Sequence, residues 1–461
     1  MDVRESDVDR RDLRVETGGT LARALTMVGV NATAMLHDAT AAIRTAWQGL
    51  QVRKLLRAAY QPSRGFGDLA GYTSIIKHRK VAERFNFSDP FYRCHEESTG
   101  STIFIDGREH LNFASYDYVG LNRHPVVSQA AKAAIDQYGT SVSASRIVSG
   151  ERVFHRELES ALADLYEAQA ALAFVSGHAT NVSTIAALME SADLVIHDEL
   201  AHNSILVGAK LSGATVRPFR HNDMAALEKL LIEERGCYKN ALIVVEGLYS
   251  MDGDIPDLPR LIELKQQHNA WLMVDEAHAL GVLGKHGRGV AEHFDIDPSD
   301  VDIWMGTLSK ALSACGGYIA GSHELIEILK FRAAGQVYSV GMSPPVAAAA
   351  AAALQLLKTE PERVARLQAN GALFLREARA HGLDTVTSQG YAIIPIMVGD
   401  IVRAGRITDR MLARGVNVLP IIYPAVPLKA ARLRFFVTSE HTPEQIRTTV
   451  RIAAEELRKL A

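Results

Sequence analysis

The stretch that decides the fold of this 461-residue chain is WLMVDEAH, residues 271–278, followed one unit later by IWMGTLSK, residues 303–310. In each, a short apolar run passes directly into polar side chains, which is typical of a buried strand that reaches the edge of a sheet. Asp275 closes the first run, and Lys310 follows the second. Open α/β sheets bind their ligands at the carboxyl ends of such strands. The two segments therefore indicate both a fold class and a site.

Five more apolar runs rich in β-branched residues accompany these two. They are residues 171–175, 194–197, 215–219, 242–245 and 318–320. Amphipathic stretches such as 258–268 lie between them, and strands that are apolar on both faces are typical of a sheet covered on both sides. The sequence therefore predicts an α/β fold with a mainly parallel seven-stranded sheet covered by helices.

The pattern changes after Pro344-Pro345. An alanine-rich helix is predicted for 346–357, and a strand pair is predicted near 392–398 and 433–438, which is typical of a smaller α+β unit. We therefore predict three parts, with boundaries at 1–90, 91–344 and 345–461. The first is a charged tail with a helical extension, the second is the large α/β domain, and the third is a small C-terminal α+β domain. A hairpin is predicted around the Asp106-Gly107 turn.

Composition excludes several classes of protein. The chain is 48% hydrophobic and 22% charged, with a net charge of −3 and a pI near 6.6. It therefore lacks the excess of basic residues that nucleic-acid binding requires. Its three cysteines are widely spaced and form no CxxC motif, which favours a reducing compartment and gives no metal-ligand pattern. The apolar stretch 25–36 is shorter than the roughly 20 residues of a spanning helix. We expect a cytoplasmic protein that does not span a membrane.

Charge is distributed unevenly along the chain. Residues 53–90 contain eight Lys and Arg against three acidic residues, a local net charge of +5. Such a run is usually a solvated helix face, but it also suits docking of an acidic partner such as an acyl carrier protein.

The pair formed by Asp275 and Lys310 suits pyridoxal phosphate (PLP). That cofactor needs a lysine amine for its Schiff base and an acidic partner for its pyridine nitrogen. Its phosphate would bind at a helix N-terminus, which the segment Ser176-Gly177-His178 offers, with help from the hydroxyls of Thr307 and Ser309. An aspartate, a lysine or a helix N-terminus alone is common in proteins. The prediction of a PLP site rests on their joint occurrence at consecutive strand ends.

Longer segments around these residues resemble the α-oxoamine synthases, PLP enzymes of the aspartate aminotransferase fold (fold type I). The segments are NFASYDYVGL (112–121), GTSVSASRIVSGERVFHRELE (139–159), EGLYSMDGD (246–254), VDEAHALGVLGKHGRG (274–289) and TLSKALSACGG (307–317). The resemblance covers about residues 90–460. It implies a homodimeric acyltransferase that condenses a small amino acid (serine, glycine or alanine) with an acyl thioester, as acyl-CoA or acyl carrier protein. The products would be an α-amino ketone, carbon dioxide and free thiol.

The resemblance also implies roles for individual residues. Lys310 is similar to the Schiff-base lysine and Asp275 to the partner of the pyridine nitrogen. His202 resembles the histidine that stacks on the cofactor ring, and His278 resembles the histidine near the cofactor's phenolic oxygen. Further matches to cofactor-binding positions are Ser250, Thr307, Ser309, Gly177 and His178. Matches to substrate-binding positions are Arg434, Tyr116 and Ser145.

Two departures from the family pattern stand out. The hydroxyl-rich run that precedes the family's proline pair contains Val340-Gly341-Met342 here, which puts a contact with the neighbouring subunit's phosphate in question. Tyr116 stands where 8-amino-7-oxononanoate synthases have asparagine, and there the chain is more similar to serine palmitoyltransferase and to members associated with polyketide assembly.

Two other functions fit the same fold. A catalytically silent subunit of a heterodimeric synthase is one, and the intact Lys310, Asp275 and His202 argue against it. A PLP aminotransferase is the other, and the segments EGLYSMDGD and DEAHALG disfavour it.

Overall fold

The computed structural model describes residues 65–460, which fall into two units that divide after Lys80. A 3-10 turn at Phe66–Asp68 precedes helix α1 (Ala70–Phe85), and the division between the units falls within this helix. The charged tail and the helices predicted before residue 61 lie outside the described residues. The three-part division of the chain stays a prediction. Within 65–460, no helix combines the length and apolar character that a membrane crossing requires.

The second unit opens with the predicted hairpin. Strands β1 (Glu97–Thr99), β2 (Thr102–Ile105) and β3 (Arg108–Asn112) pair antiparallel in that order. Asp106 and Gly107 both have positive φ, 51° and 68°, as a tight hairpin turn requires. The hairpin prediction is therefore confirmed.

The large sheet has the seven strands that the sequence predicts. They are β4 (Ala170–Phe174), β5 (Leu194–Asp198), β6 (Thr215–Phe219), β7 (Ala241–Glu246), β8 (Trp271–Asp275), β9 (Ile303–Thr307) and β10 (Gly317–Gly321). Their order is β4-β10-β9-β8-β7-β5-β6. Strand β10 pairs antiparallel with both neighbours, and every other pairing is parallel. The carboxyl ends of β7, β8 and β9 consequently lie side by side.

Helices cover both faces of this sheet. They are α2 (Pro125–Tyr138), α3 (Val153–Leu165), α4 (Gly177–Leu188), α5 (Asn203–Ser212), α6 (Met224–Glu234), α7 (Leu258–Gln267), α8 (Val290–Phe294), α9 (His323–Arg332) and α10 (Ala334–Val337). Side chains of α4, α5 and α9 share one core with alternate strand residues, while α3, α6 and α7 share the core on the opposite face. Burying each large aliphatic side chain contributes roughly 1.5 to 3 kcal/mol. The predicted two-sided coverage is confirmed.

The C-terminal part is α+β, as the sequence predicts. Its helices are α11 (Pro344–Thr359), α12 (Glu362–Ala380), α13 (Ile401–Ala413) and α14 (Pro443–Arg458). Strands β11 (Ile393–Gly399), β13 (Leu419–Ile421) and β14 (Ala431–Phe436) form an antiparallel sheet in the order β11-β14-β13. The two-residue strand β12 (Val416–Asn417) pairs parallel with β3. The hairpin therefore shares a sheet with the C-terminal part.

The buried carboxyl group of Glu276 anchors the glycine-rich loop that follows β8 and leaves no room for a side chain at position 289. Both oxygens of Glu276 accept from the backbone N–H of Val290, at 3.1 and 3.3 Å, which ties the loop to the start of α8. Gly289 has a φ of +100°, and a Cβ there would lie 1.9 Å from a Glu276 oxygen. Burial raises the pKa of Glu276 to about 8. This anchor holds the segment that carries Asp275 and His278.

Candidate active site

A cavity of about 360 Å³ opens at the carboxyl ends of β7, β8 and β9. It is lined by Tyr116, Ser176, Gly177, His178, Asn181, His202, Ser204, Glu246, Ser250, Met251, Asp275, Ala277, His278, Met305, Thr307, Ser309, Lys310 and Arg434. Every site residue predicted from the sequence except Ser145 is in this set. The fold therefore brings together side chains that lie up to 318 residues apart in sequence, from Tyr116 to Arg434.

Lys310 sits on the loop that follows β9. The loop is held by hydrogen bonds from Leu308 N–H to Gly316 O and from Ala314 N–H to Leu308 O, both 2.9 Å long. Among residues 65–460, no hydrogen bond or salt bridge holds its Nζ, which lies 5.8 Å from the Tyr116 ring centre. Burial lowers the pKa of Lys310 to about 8, although the charges of Asp275 and Glu246 raise it. The amine therefore has no hydrogen-bond partner in the described chain and is partly neutral near neutral pH.

Asp275 is held by a chain of polar side chains from α4 and α5. Its Oδ2 accepts from Asn181 Nδ2 at 2.7 Å, and its Oδ1 accepts from the Ala277 N–H at 2.9 Å. Asn181 Nδ2 also donates to Ser204 Oγ at 2.9 Å, and Ser204 Oγ lies 2.7 Å from Nδ1 of His202. The chain couples the orientation of the carboxylate to that of the imidazole.

The direction of these hydrogen bonds follows from chemistry. A carboxylate only accepts, so the amide nitrogen of Asn181 must face Asp275. The hydroxyl of Ser204 accepts from Asn181, so its own proton points to Nδ1 of His202. Burial lowers the pKa of His202, helped by the charge of Lys310, although Asp275 raises it. The imidazole is therefore neutral near neutral pH, with its proton on Nε2.

The start of α4 meets the end of β9 at one side of the cavity. Ser176 caps the helix, its side chain accepting from the Ala179 N–H at 3.4 Å. A Cβ on Gly177 would lie 2.8 Å from Thr307 Oγ1, so only glycine lets the helix approach this closely. The first N–H groups of a helix have no partner inside it and attract anions. With the hydroxyls of Thr307 and Ser309 alongside, this corner suits a phosphate.

Arg434 enters the cavity from β14 in the C-terminal part. Its Nη1 donates to the Ser250 carbonyl oxygen at 3.0 Å, and its guanidinium carbon lies 4.7 Å from the centre of the Phe436 ring. Its Nε is buried and has no hydrogen-bond partner among the described residues. An unpaired buried donor beside a cavity is a place for an anionic ligand.

The loop between Tyr249 and Asp254 carries Ser250 and is held at both sides. Arg432, also on β14, makes a buried ion pair with Asp252. His221 bridges Asp198 and Asp254, with 2.9 Å from each ring nitrogen to a carboxylate oxygen. Despite its burial, these two carboxylates raise the pKa of His221 to about 10. These ion pairs fix the loop that anchors Arg434.

Glu246 closes the floor of the cavity at the end of β7. It is paired in register with Asp275 on β8 and is 3% exposed, and its Oε1 has no hydrogen-bond partner in the described chain. Burial and the charge of Asp275 raise the pKa of Glu246 to about 8, while Lys310 and the backbone N–H groups of His202 and Ser250 oppose this shift. Glu246 is therefore a protonated acid at neutral pH.

The cavity fits PLP in size and in the chemistry of its lining. Lys310 offers an amine without a protein partner, Asp275 offers a fixed carboxylate, and the Gly177 corner offers anion-binding N–H groups. These are the groups that the cofactor requires of a protein. No cluster of three or more His, Cys, Asp or Glu side chains able to hold a metal ion occurs in the described chain.

Ser145 and the run that departs from the family pattern (residues 338–343, the departure run) do not line this cavity. Ser145 precedes a π-helical turn (Arg146–Gly150), where its carbonyl oxygen accepts from three backbone N–H groups. Its role in substrate binding stays a prediction. In the departure run, Val340 is half-exposed and Met342 is buried, with its carbonyl oxygen accepting from His155 Nε2 at 2.8 Å. A Cβ on Gly341 would lie 3.0 Å from Arg146 Cγ. Tight packing thus disfavours a larger residue at position 341.

Three polar residues of the cavity received no role from the sequence: Asn181, Ser204 and Glu246. Glu246 follows an apolar run as Asp275 does, so its position at a strand end was a usable signal. Asn181 and Ser204 lie inside helices, where nothing in the local pattern distinguishes them from capping or solvent-facing residues. Their function depends on helix packing, which periodicity does not specify.

Comparison with known proteins gives one matching family model, two similar sequences and one similar solved structure. A family model described as aminotransferase class I and II matches residues 108–452. The 8-amino-7-oxononanoate synthase of Geobacter sulfurreducens is 43% identical over 356 residues, covering 77% of this chain and 90% of that protein. The 8-amino-7-oxononanoate synthase 1 of Bacillus velezensis is 39% identical over 365 residues, covering 78% and 93%. A solved K265A variant of serine palmitoyltransferase from S. paucimobilis, with a bound PLP-myriocin aldimine, is 29% identical with a TM-score of 0.82, covering 86% and 99%.

The raised pKa of Glu246 predicts an effect on stability. Because the folded-state pKa lies above the unfolded value of 4.5, stability is fully present below pH 4.5 and is lost as the pH rises towards 8. Glu246→Gln keeps a neutral side chain of the same shape and removes this loss, which is worth about 1.4 kcal/mol per pKa unit. We expect its melting temperature to fall less than that of the wild type between pH 5 and pH 8. The exposed Glu233→Gln is the matched control. An equal fall in melting temperature in Glu246→Gln and in Glu233→Gln would contradict a buried, protonated Glu246.

Proposed function

The chain belongs to the aminotransferase class I and II family and, within it, to the α-oxoamine synthases, and we propose how its own residues perform that family's reaction. It is a PLP-dependent acyltransferase that joins an amino acid to an acyl thioester, releasing carbon dioxide and free thiol and leaving an α-amino ketone. The arrangement of Lys310, Asp275 and Arg434 around one cavity carries this proposal. Serine, glycine and alanine are the amino acids that we propose.

Lys310 and Asp275 divide the acid and base work. When bound, PLP supplies a carbonyl group for the substrate amine and a ring that accepts electrons from the α-carbon. The Asp275 carboxylate, fixed by Asn181, would hold a proton at the ring nitrogen of the cofactor. Lys310 would hold the cofactor before the substrate binds, and its amine would then serve as the base for the proton on the substrate's α-carbon. Its pKa of about 8 suits a base at neutral pH.

Arg434 is the residue that we propose for the substrate carboxylate. Its free Nε lies in a largely dehydrated position, where a charge-assisted hydrogen bond is stronger than at the surface. The bond to the Ser250 carbonyl oxygen and the contact with Phe436 leave the guanidinium little freedom. Holding the carboxylate in one orientation keeps both reactants in place until carbon dioxide leaves.

His202, His178 and Tyr116 border the remaining space. The rings of His178 and His202 lie 6.4 Å apart in an edge-to-face arrangement. Tyr116 is 40% exposed at the cavity rim, where we propose that it contacts substrate. We propose that His202 packs against the cofactor ring, because its hydrogen bond to Ser204 fixes the imidazole plane.

A screen of amino acids against acyl thioesters tests this function. We expect one small amino acid to shift the visible absorbance of the purified holoenzyme and to support release of thiol and carbon dioxide, with the α-amino ketone detected by mass spectrometry. Lys310→Ala should lower the rate by roughly 10²- to 10⁴-fold, because it removes the base. The exposed Lys285→Ala is the control. Undiminished thiol release by Lys310→Ala would contradict the proposal, and a keto acid without carbon dioxide would indicate transamination instead.

We also propose that two copies of the chain associate and that the protein works in the cytoplasm. Exposed apolar side chains occur in and beside the π-helical turn and in the departure run: Ile147, Val148, Val153, Tyr338 and Val340. A covering second copy would remove them from water. The three cysteines are free and exposed, which supports a reducing compartment.

The form of the acyl donor is a separate proposal. Of the basic residues predicted to dock an acidic partner, Arg53, Lys54, Arg57 and Arg64 lie outside the described residues. Helix α1 carries the others and is exposed along most of its length, with only Ala82 buried. Lys77, Lys80 and Arg84 are exposed on it, as are Tyr72 and Ile75. We propose that this basic and apolar surface docks an acyl carrier protein.

Charge reversal on α1 distinguishes the two donors. The triple variant Lys77→Glu, Lys80→Glu, Arg84→Glu should raise the KM for an acyl carrier protein thioester and leave the KM for the matching acyl-CoA unchanged. Because exposed charges act through long-range attraction, the difference should shrink as salt is added. A triple variant with the three residues changed to Gln separates loss of charge from reversal. If the triple Glu variant changes the KM for both donors equally, or for neither, docking at α1 is contradicted. The proposed reaction is not affected by that result.

A further inference from the structure

A buried hydroxyl contacts one of the three histidines that line the cavity with Lys310. Tyr118 lies between β3 and α2 and is fully buried, and its Oη is 2.6 Å from Nδ1 of His278. His278 follows β8 and is 7% exposed. The two residues are 160 positions apart in sequence, so the contact is made only in the fold.

The direction of this hydrogen bond follows from what each atom needs. In the described structure, the only hydrogen-bond partner of the Tyr118 hydroxyl is Nδ1 of His278. If His278 donated, the hydroxyl proton would be buried without an acceptor, which costs roughly 1 to 3 kcal/mol. Burial raises the pKa of Tyr118 and lowers that of His278 well below its usual value, so both groups are neutral. The hydroxyl therefore donates, and Nδ1 accepts.

An imidazole that accepts at Nδ1 carries its single proton on Nε2. The ring is held in place by Phe436, nearly parallel at 6.3 Å, and by the edge of Tyr116 at 6.0 Å. The nearby charges of Lys310 and Arg434 oppose a second proton on the ring. His278 is thus set to present one N–H donor.

We propose that Tyr118 is a positioning residue whose hydroxyl holds His278 in the Nε2–H tautomer, so that the cavity receives a hydrogen-bond donor for an acceptor oxygen of the bound cofactor. This rests on the proposed function, because it assumes that PLP occupies the cavity. PLP carries a phenolic oxygen beside its reacting carbon, and an N–H donor there would influence the electron distribution of the ring.

Tyr118→Phe tests the proposal, with Tyr166→Phe as the matched control. Tyr166 is also fully buried, and its hydroxyl pairs at 2.8 Å with that of Tyr318, and neither tyrosine lines the cavity. Nitrogen-15 spectra of histidine-labelled holoenzyme report which ring nitrogen carries the proton, with the His278 signals assigned by their loss in His278→Gln. The visible spectrum of the bound cofactor and the steady-state kinetics complete the measurement.

We expect the wild type to show Nδ1 of His278 unprotonated and Nε2 protonated. In Tyr118→Phe, the two tautomers should mix, the visible band should shift, and kcat should fall by roughly 10- to 100-fold with little change in the KM for the amino acid. Tyr166→Phe should change none of these.

A wild-type signal from protonated Nδ1 would overturn the proposal, as would a Tyr118→Phe protein whose nitrogen signals and visible band match those of the wild type. If Tyr118→Phe does not fold, the wild-type spectrum still decides the tautomer. The nitrogen spectra need no substrate, so they remain decisive even if no condensation is found and the proposed function fails.

Discussion

The structure depends on the parallel, in-register pairing of β7, β8 and β9. This pairing sets Glu246 beside Asp275, both buried, and brings them within electrostatic reach of Lys310. Burying three ionisable groups together is costly unless their charges are matched. A Glu246 whose pKa is raised to about 8 and a Lys310 whose pKa is lowered to about 8 limit the number of buried charges. The sheet therefore determines the protonation pattern on which the chemistry depends.

The polar side chains around this centre make directed hydrogen bonds. Asn181 and Ser204 connect Asp275 to His202, and Tyr118 contacts His278. In both cases a hydroxyl donates to Nδ1 and leaves the proton on Nε2. A fixed set of donors and acceptors costs no reorganisation when charge develops in a reaction. The site is therefore organised by hydroxyl and amide groups as much as by its charged residues.

Much of this arrangement follows from the sequence, because strand ends are marked by where apolar runs stop. All seven strands of the large sheet were predicted within two residues, and the hairpin was predicted at its D-G turn. The strand ends placed Asp275 and Lys310 in one site, and the family resemblance added Arg434. Helix α4 begins at Gly177, where Ser176 caps it, at the helix N-terminus that the sequence predicts. Tyr118, Asn181 and Ser204 were missed, since their partners are set by packing between elements distant in sequence. Residues before 65 lie outside the described structure, so predictions there stay untested.

Chemical trapping of the cofactor tests the central claim most directly, that Lys310 is the amine on which PLP is held. Reducing the purified holoenzyme with borohydride converts the Schiff base into a stable secondary amine, and peptide mass spectrometry then locates the pyridoxyl group. We predict that it is found on the peptide that contains Lys310. A pyridoxyl group on another lysine, or a holoenzyme in which no lysine is modified, would contradict the account.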